Sequence, residues 1–565
     1  MPENNTNMDL FLKFLEDNGV AWDKELIEIQ PACLNPDVPD NTYACYAIKD
    51  CKEGDIIAWI PRSSLLSSKT TAIADTIVEE GLDSTLRPEC SLALALMYEA
   101  EMADESPWKG YLQSLPTHIM TPVTWKREDR DLLHGTEVEN TTKGRTMHVW
   151  DDHQKVQIPF PCSYTKFFSN VILARSHMLR VDNYHHLAMV PFMNLLMKHD
   201  DHHMGQARLD VDDGADVCQT CGKNQGGNCP SCSIPCEKGG GDHQHQQQDT
   251  TGLLDDLEAL EEAGVNFYNQ HSPNEQDIYY RVVLTRSVKK GEMIVYDYGP
   301  HSSAEMLTRY GFCYVDNDLE HEKFSVSKDM IFAACIDTVR DIMHGKQPMT
   351  SVAMKRASDH VRERFRFYCD KIQYLSLAFT NNHSIIASIF GTNNYALPAV
   401  HDRYTAVNGR YPDDLLVLLH IVFANDVLFD SYQENVFVAV GDMRKYLALI
   451  HEHEEGSLAA NGKRVRPDPQ VEHMQRLVYT ACYRLSLRRR GCYEDPEVYL
   501  WIPPEIDAYR RDHEQLNPEE HYALTCRINE KRVIQKSMKH YDHLIHLCLD
   551  DKDTLHSSNK RSRLR

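Results

Sequence analysis

Positive charge is scarce in this chain: 60 Lys and Arg stand against 84 Asp and Glu, for a formal net charge of −24. A general nucleic-acid binder needs a basic face for phosphates, so no direct nucleic-acid contact is expected. The acidic excess suits a basic protein partner instead. Long apolar runs are lacking too. The longest, Leu415 to Ala424, is half a membrane span and contains His420, so no membrane crossing is expected. Met1 to Asn7 has neither the basic nor the apolar stretch of a signal peptide. A cytoplasmic or nuclear location is therefore expected, which makes the 17 cysteines reduced thiols by default.

What is present is an ordinary globular balance, 42% hydrophobic and 25% charged, in 565 residues, enough for two or three domains. One stretch organises it, Tyr296 to Phe312. Glu292 to Tyr296 is β-prone and follows the turn residues Lys289, Lys290 and Gly291. The pattern breaks at Gly299-Pro300 and opens a short helix, with Ser302 and Glu305 as a capping box and Gly311 as the stop. Tyr298 and Tyr310 are thereby predicted at the two ends of one compact strand-turn-helix unit. By itself this is a buried aromatic corner.

The order Tyr-Asp-Tyr-Gly (296–299), Ser303-x-Glu305-x-Leu307-x-x-Tyr310-Gly-Phe312 and Asp316-Asn317 resembles the C-terminal half of a SET domain. More narrowly, it is similar to the branch that holds the Rubisco large-subunit and ribosomal-protein lysine methyltransferases and the actin-histidine methyltransferase. Upstream motifs extend the resemblance. Ala47, Asp50, Gly54, Ile60 and Pro61 fit the family's first strands, and Ser106 to Pro116, Trp125 and Leu133 to Glu137 fit its next run. Arg175-Ser176, Val190 and Pro191 fit a further one. The family's glycine pair beside the cofactor falls on Thr42 and Ala44; its Asp falls on Asn194, and its Asn-His pair on Met197 and Lys198, with His199 one residue away.

The resemblance implies an α+β fold: a SET domain, small β-sheets around a pseudo-knot-like core, with an inserted helical subdomain and a helical C-terminal substrate-binding domain. It divides the chain into 1–199 (N-terminal SET part), 200–274 (insertion), 275–320 (C-terminal SET part), 321–500 (helical domain) and 501–565 (extension with a basic tail). It also implies S-adenosylmethionine-dependent methylation of a lysine on a non-histone protein, ribosomal or otherwise basic, by a monomer. Tyr310 would be the catalytic hydroxyl and Tyr298 a wall of the lysine channel. Tyr43, Ala44, Cys45, Met197, Lys198, Tyr310 and Phe312 would contact the cofactor. Two alternatives stay open: a SET-fold binding module with weakened catalysis, and a methyltransferase whose acceptor is histidine.

The insertion is polar, rich in Gly and Gln over Gly239 to Gln248, and too long for a plain connection. Cys218-x-x-Cys221 and Cys229-x-x-Cys232 supply the four thiolates of a structural zinc site. A loose surface loop is the competing reading. Leu253, Leu254, Leu257 and Leu260 repeat at helical spacing behind them, as in a docking helix. Beyond residue 320 the period is helical, with one face on Phe332, Ile336, Val339 and Met343. A second face on Met474, Leu477, Ala481 and Leu485 ends in the cations Arg488 to Arg490.

Overall fold

The structure of the chain is a computed structural model, which describes residues 5–31, 43–116, 119–182, 185–197, 205–210, 279–344, 350–372, 403–454, 469–493 and 501–548. Thr42, Lys198, His199, the four zinc-candidate cysteines, the leucine-spaced segment 253–260 and the basic tail lie outside these residues. The chain divides into two compact units. The first takes 1–124, 141–300 and 306–314; the second takes 125–140, 301–305 and 315–565.

The first unit carries strands β1 (Ala21–Trp22), β2 (Ile27–Pro31), β3 (Tyr43–Ala47), β4 (Ile56–Pro61), β5 (Met178–Arg180), β6 (Leu187–Met189), β7 (Ala207–Asp210), β8 (Tyr279–Leu284) and β9 (Met293–Ile294). They form three small antiparallel sheets, in the orders β1-β4-β8-β7, β2-β3-β9 and β5-β6. Helix Asn5–Asp17 turns Phe11, Phe14 and Leu15 inward at helical spacing and ends at Gly19, whose φ of +72° suits a C-cap. It packs on helix Lys109–Leu112, with Phe14 5.7 Å from the Trp108 ring. The approach is close enough that a Cβ at Gly110 would lie 2.6 Å from the Leu10 carbonyl oxygen.

The turn Lys52-Glu53-Gly54 joins β3 and β4, which lie in different sheets, and one sequence expectation changes further on. The turn sends its hydrogen bonds elsewhere, Cys51 exchanging both with Val288 and Gly54 N–H donating to the Leu284 carbonyl. The strand expected over Glu292 to Tyr296 pairs only at Met293 and Ile294. Its continuation is held instead by two earlier segments. Tyr296 N–H donates to the Leu196 carbonyl at 2.8 Å, Asp297 N–H to Ala207 at 2.7 Å, and Gln206 N–H to Val295 at 2.8 Å. Gln206 Oε1 accepts from Val295 N–H at 2.9 Å as well. The contact requires glycine: a Cβ at Gly205 would stand 2.1 Å from the Tyr296 carbonyl oxygen.

The second unit pairs β10 (Lys323–Ser327) with β11 (Arg403–Val407) under a set of helices. Helix Asp413–Phe423 is buried from Leu415 through Phe423, which accounts for the chain's longest apolar run. Among the described residues no single helix is long and apolar enough to cross a membrane. Residues set apart in the sequence as an extension include helices Pro504–His513 and Pro518–Leu547, both within this unit. Helix Pro469–Gly491 carries Arg489, read in the sequence as one of the helix-end cations and only 1% exposed. Its guanidinium donates to the Gly135 carbonyl at 2.6 Å, to Glu137 at 3.0 Å and to Glu530.

Candidate active site

The site is built from the segment the sequence singled out. Gly299 N–H donates to Asp297 Oδ1 at 3.0 Å, and Gly299 takes a φ of +77°, so the chain reverses where the sequence pattern breaks. The capping box forms. Ser302 N–H donates to Glu305 Oε2 at 2.9 Å and Glu305 N–H to Ser302 Oγ at 3.3 Å. Helix Ser303–Tyr310 follows and stops at Gly311, with a φ of +86° and its N–H on the Leu307 carbonyl.

These turns bring four rings together. Tyr298 and Tyr310 stand 4.4 Å apart between ring centroids, with 60° between their planes. Tyr298 meets Phe312 edge-on at 5.3 Å and Tyr296 at 5.0 Å. Tyr298, Tyr310 and Phe312 are all at least nine-tenths buried. Burial pushes the Tyr298 phenol well above its ordinary value, and the neighbouring tyrosines add to the push. Burial raises the Tyr310 phenol as well, opposed by Arg309, whose guanidinium lies 5.0 Å from the Tyr310 ring centroid. Desolvation takes Tyr296 to about 12. At neutral pH these are therefore hydroxyls, able to donate and accept hydrogen bonds in a dry setting but not to serve as anionic bases.

The cofactor candidates lie on neighbouring elements. Strand β3 packs against the 3₁₀ turn Pro191–Leu195, which runs on to Leu196 and Met197. Leu196 in turn accepts from Tyr296, so this turn and the tyrosine cluster are joined by one hydrogen bond. Ala44 and Cys45 are fully buried, which leaves their main chain as the part that could hold a ligand. Cys45 is paired with β2 on one side and β9 on the other, whereas β9 does not reach Tyr43 or Ala44. That edge and the turn are what the structure offers to a cofactor. Met197 is buried at its end.

Arg309 escaped attention in the sequence, and Asn194 was met there only as the residue at the family's Asp position. Asn194 is buried with its Nδ2 lacking a hydrogen-bond partner among the described residues, while its Oδ1 accepts from Tyr111 Oη at 3.4 Å. Arg309 donates to the Arg175 and Met178 carbonyls at 3.2 and 3.0 Å, tying the Tyr310 helix to helix Tyr164–His177. Asn194 had a signal, a polar residue inside the apolar run from Leu187 to Met197. Arg309 had none. Among the described residues no group of three or more His, Cys, Asp or Glu is placed to hold a metal ion.

No family model matches the chain. Curated proteins do match over parts of it. Ribosomal lysine N-methyltransferase 3 of Saccharomyces cerevisiae is 24% identical over 337 residues, 49% of this chain and 57% of the relative. The ribulose-1,5-bisphosphate carboxylase/oxygenase large subunit N-methyltransferase of Nicotiana tabacum is 25% identical over 182 residues, 30% of this chain and 36% of the relative. The N-lysine methyltransferase setd6 of Salmo salar is 32% identical over 123 residues, 21% and 27% of the two chains. The chain thus spans less than two thirds of each of these relatives.

Among solved structures, the SET domain of LSMT bound to lysine and AdoHcy matches with a TM-score of 0.57 at 16% identity, over 97% of this chain and 94% of that one. Rubisco LSMT bound to AdoMet matches with a TM-score of 0.55 at 16% identity, over 97% and 93%. The fold is that of a SET-domain protein. The curated proteins that the chain partly matches are named as lysine methyltransferases, those of Rubisco and ribosomal proteins among them.

Proposed function

We propose that the chain is an S-adenosylmethionine-dependent protein-lysine N-methyltransferase that acts on a non-histone protein. The observation that carries this reading is the pair Tyr298 and Tyr310, two neutral hydroxyls on rings 4.4 Å apart in an aromatic enclosure. Free lysine titrates near 10.4, so roughly 0.1% is neutral at pH 7.4, a penalty of about 4 kcal/mol. Aromatic walls desolvate an entering ammonium and lower that value. Tyr310 would hold the amine in line through its hydroxyl, Tyr298 would wall the channel, and Phe312 would fix both rings by packing. The cofactor would lie along the edge at Tyr43 and Ala44, against the turn that ends at Met197, where the Asn194 amide, without a hydrogen-bond partner for its Nδ2 among the described residues, is one available donor. When bound it supplies the electrophilic methyl group. The curated relatives support this reading by their names, which are those of lysine methyltransferases.

The net charge of −24 favours a basic substrate, a ribosomal protein among the candidates, met by a monomer in the cytoplasm or nucleus. A second reading, a SET-fold binding module without transfer, is favoured by Met197 and Lys198 where the branch has Asn-His. Calorimetry with S-adenosylmethionine separates the two, since a ligand at 100 times its Kd stabilises by about 2.7 kcal/mol. Saturable heat followed by transfer of labelled methyl to a lysate protein is the expected result. No heat at millimolar cofactor would move the assignment to the binding module. Mapping the labelled residue then distinguishes lysine from histidine as acceptor.

A further inference from the structure

Helix Ser303–Tyr310 brings a permanent cation to the tyrosine cluster. The Arg309 guanidinium carbon lies 5.0 Å from the centroid of the Tyr310 ring. Two hydrogen bonds fix it there, to the Arg175 carbonyl at 3.2 Å and the Met178 carbonyl at 3.0 Å. Both acceptors are neutral main-chain groups, and among the described residues no carboxylate forms an ion pair with Arg309. A tether needs only a donor, so packing leaves the charge itself unexplained. Of the groups around it, Arg175 on helix Tyr164–His177 adds to the positive field and is itself acted on by Glu89 and Cys90, while the Asp297 charge opposes that field at Tyr296. Glu305, one turn back on the Arg309 helix, is paired with Lys323. Tyr296, Tyr298 and Tyr310 are phenols that burial keeps neutral, and Tyr314 meets Phe312 edge-on at 5.8 Å.

The proposed function places the acceptor amine on the Tyr310 hydroxyl. A phenol oxygen stands about 3 Å from its ring centre and a hydrogen-bonded nitrogen about 3 Å further, so such an amine lies within about 11 Å of the guanidinium. At that separation and an effective dielectric of about 20, two unit charges repel enough to move a titration by about one pH unit. The repulsion acts on an ammonium and leaves a neutral amine alone, so the field sorts the two protonation states. In the transfer the amine lone pair takes the methyl group as the C–S pair returns to sulfur, and a neutral amine becomes an ammonium. The same field therefore disfavours the methylated product and helps it leave. Arginine stays charged at any physiological pH, which makes the effect permanent.

We propose that Arg309 selects by charge at this site: its fixed field admits the acceptor amine in its neutral form, resists the protonated form, and speeds departure of the ammonium product. Arg309 acts through this field and touches no substrate. The inference rests on the methyltransferase reading above.

The test uses the full chain and calorimetry with three ligands that differ in charge at one point. Sinefungin carries a titratable amine where S-adenosylmethionine has its methyl-bearing sulfonium, and S-adenosylhomocysteine has a neutral thioether there. Arg309→Met should tighten sinefungin relative to S-adenosylhomocysteine by about tenfold at pH 7, and leave that ratio unchanged at pH 10, where the amine is neutral. It should tighten S-adenosylmethionine relative to S-adenosylhomocysteine several-fold at both pH values, because a sulfonium does not titrate. Arg309→Lys keeps the charge and should hold both ratios within about twofold of the wild type. Should Arg309→Met not fold, Arg309→Gln, which keeps a donor for the carbonyls and drops the charge, takes its place. A merely structural tether would weaken all three ligands alike in every variant. Ratios unmoved in a folded Arg309→Met or Arg309→Gln, or a sinefungin gain as large at pH 10 as at pH 7, would overturn the proposal. Wild-type protein that binds none of the three would instead remove the methyltransferase reading, and this inference with it.

Discussion

Gly311 lies so close to Met120 that a Cβ added to it would stand 2.7 Å from the Met120 carbonyl oxygen. Its φ of +86° disfavours any side chain independently of that contact. Gly311→Ala should therefore cost about 1 to 3 kcal/mol in strain alone. Tm should fall, and Tyr310, one residue earlier, should lose its position. An unchanged Tm would mean that the helix end relaxes at no cost.

Tyr310→Phe removes one oxygen and keeps the ring that Tyr298 and Arg309 pack against. Loss of one preorganised donor typically costs roughly 3 kcal/mol, or 10²- to 10³-fold in rate. Tm and cofactor affinity should hold while labelling of the acceptor falls by that factor. Unchanged labelling would transfer attention to Tyr298.

Arg489 holds two carboxylates, Glu137 and Glu530, in a buried setting. Burial pushes Glu530 up to about 7 even with Arg489 beside it. Its folded value exceeds the unfolded one of 4.5, so its contribution is full below pH 4.5 and is lost as pH rises through 7. Arg489→Met strands that carboxylate and should cost about 3 to 5 kcal/mol. The loss should be larger at pH 8 than at pH 5.5, where Glu530 is protonated. Urea unfolding at the two pH values checks it, and equal losses would show that Glu530 does not change its charge between them.

His420 and His185 are buried and pushed down to about 4 by desolvation. Both are neutral when folded and charge readily when unfolded, with an ordinary value of 6.5. Their contribution is full above pH 6.5 and drains away as pH falls towards 4, by up to about 3 kcal/mol each. His420→Gln should flatten the fall of Tm over that range. An unchanged slope would put the acid lability elsewhere.

Cys218, Cys221, Cys229 and Cys232 are expected to hold one Zn²⁺. Protein purified without added zinc should carry near one equivalent, and a Cys218→Ser, Cys232→Ser double variant should lose it. Cofactor binding should survive that change. Zinc content indifferent to the double variant would remove these thiols from consideration.

The local parts of the site were legible because their chemistry is local. A serine three residues before a glutamate, and a glycine just past a helix, specify the Tyr310 helix at both ends. What was not legible depends on distant partners. Residues 295 to 297 look like plain strand, yet their hydrogen bonds go to Leu196, Gln206 and Ala207. Arg489 sits where solvated helix-end cations usually sit, and only its partners at 135, 137 and 530 explain its burial. Tyr111 and Asn194, 83 positions apart, meet for the same reason. The fold class emerged from short motifs whose spacing survives substitution.

The bond from Glu137 N–H to Glu530 also sets a clock on synthesis. The two residues are 393 positions apart, and Arg489 is 352 beyond Glu137. At about 5 to 20 residues per second a ribosome needs roughly 20 to 80 s to make that length of chain. Until that interval ends, residues 125–140 lack Glu530, and for most of it they lack Arg489 as well. The nascent chain must therefore carry an uncapped acidic turn for most of its translation, a window in which a chaperone has more to hold than in a chain whose units are sequential.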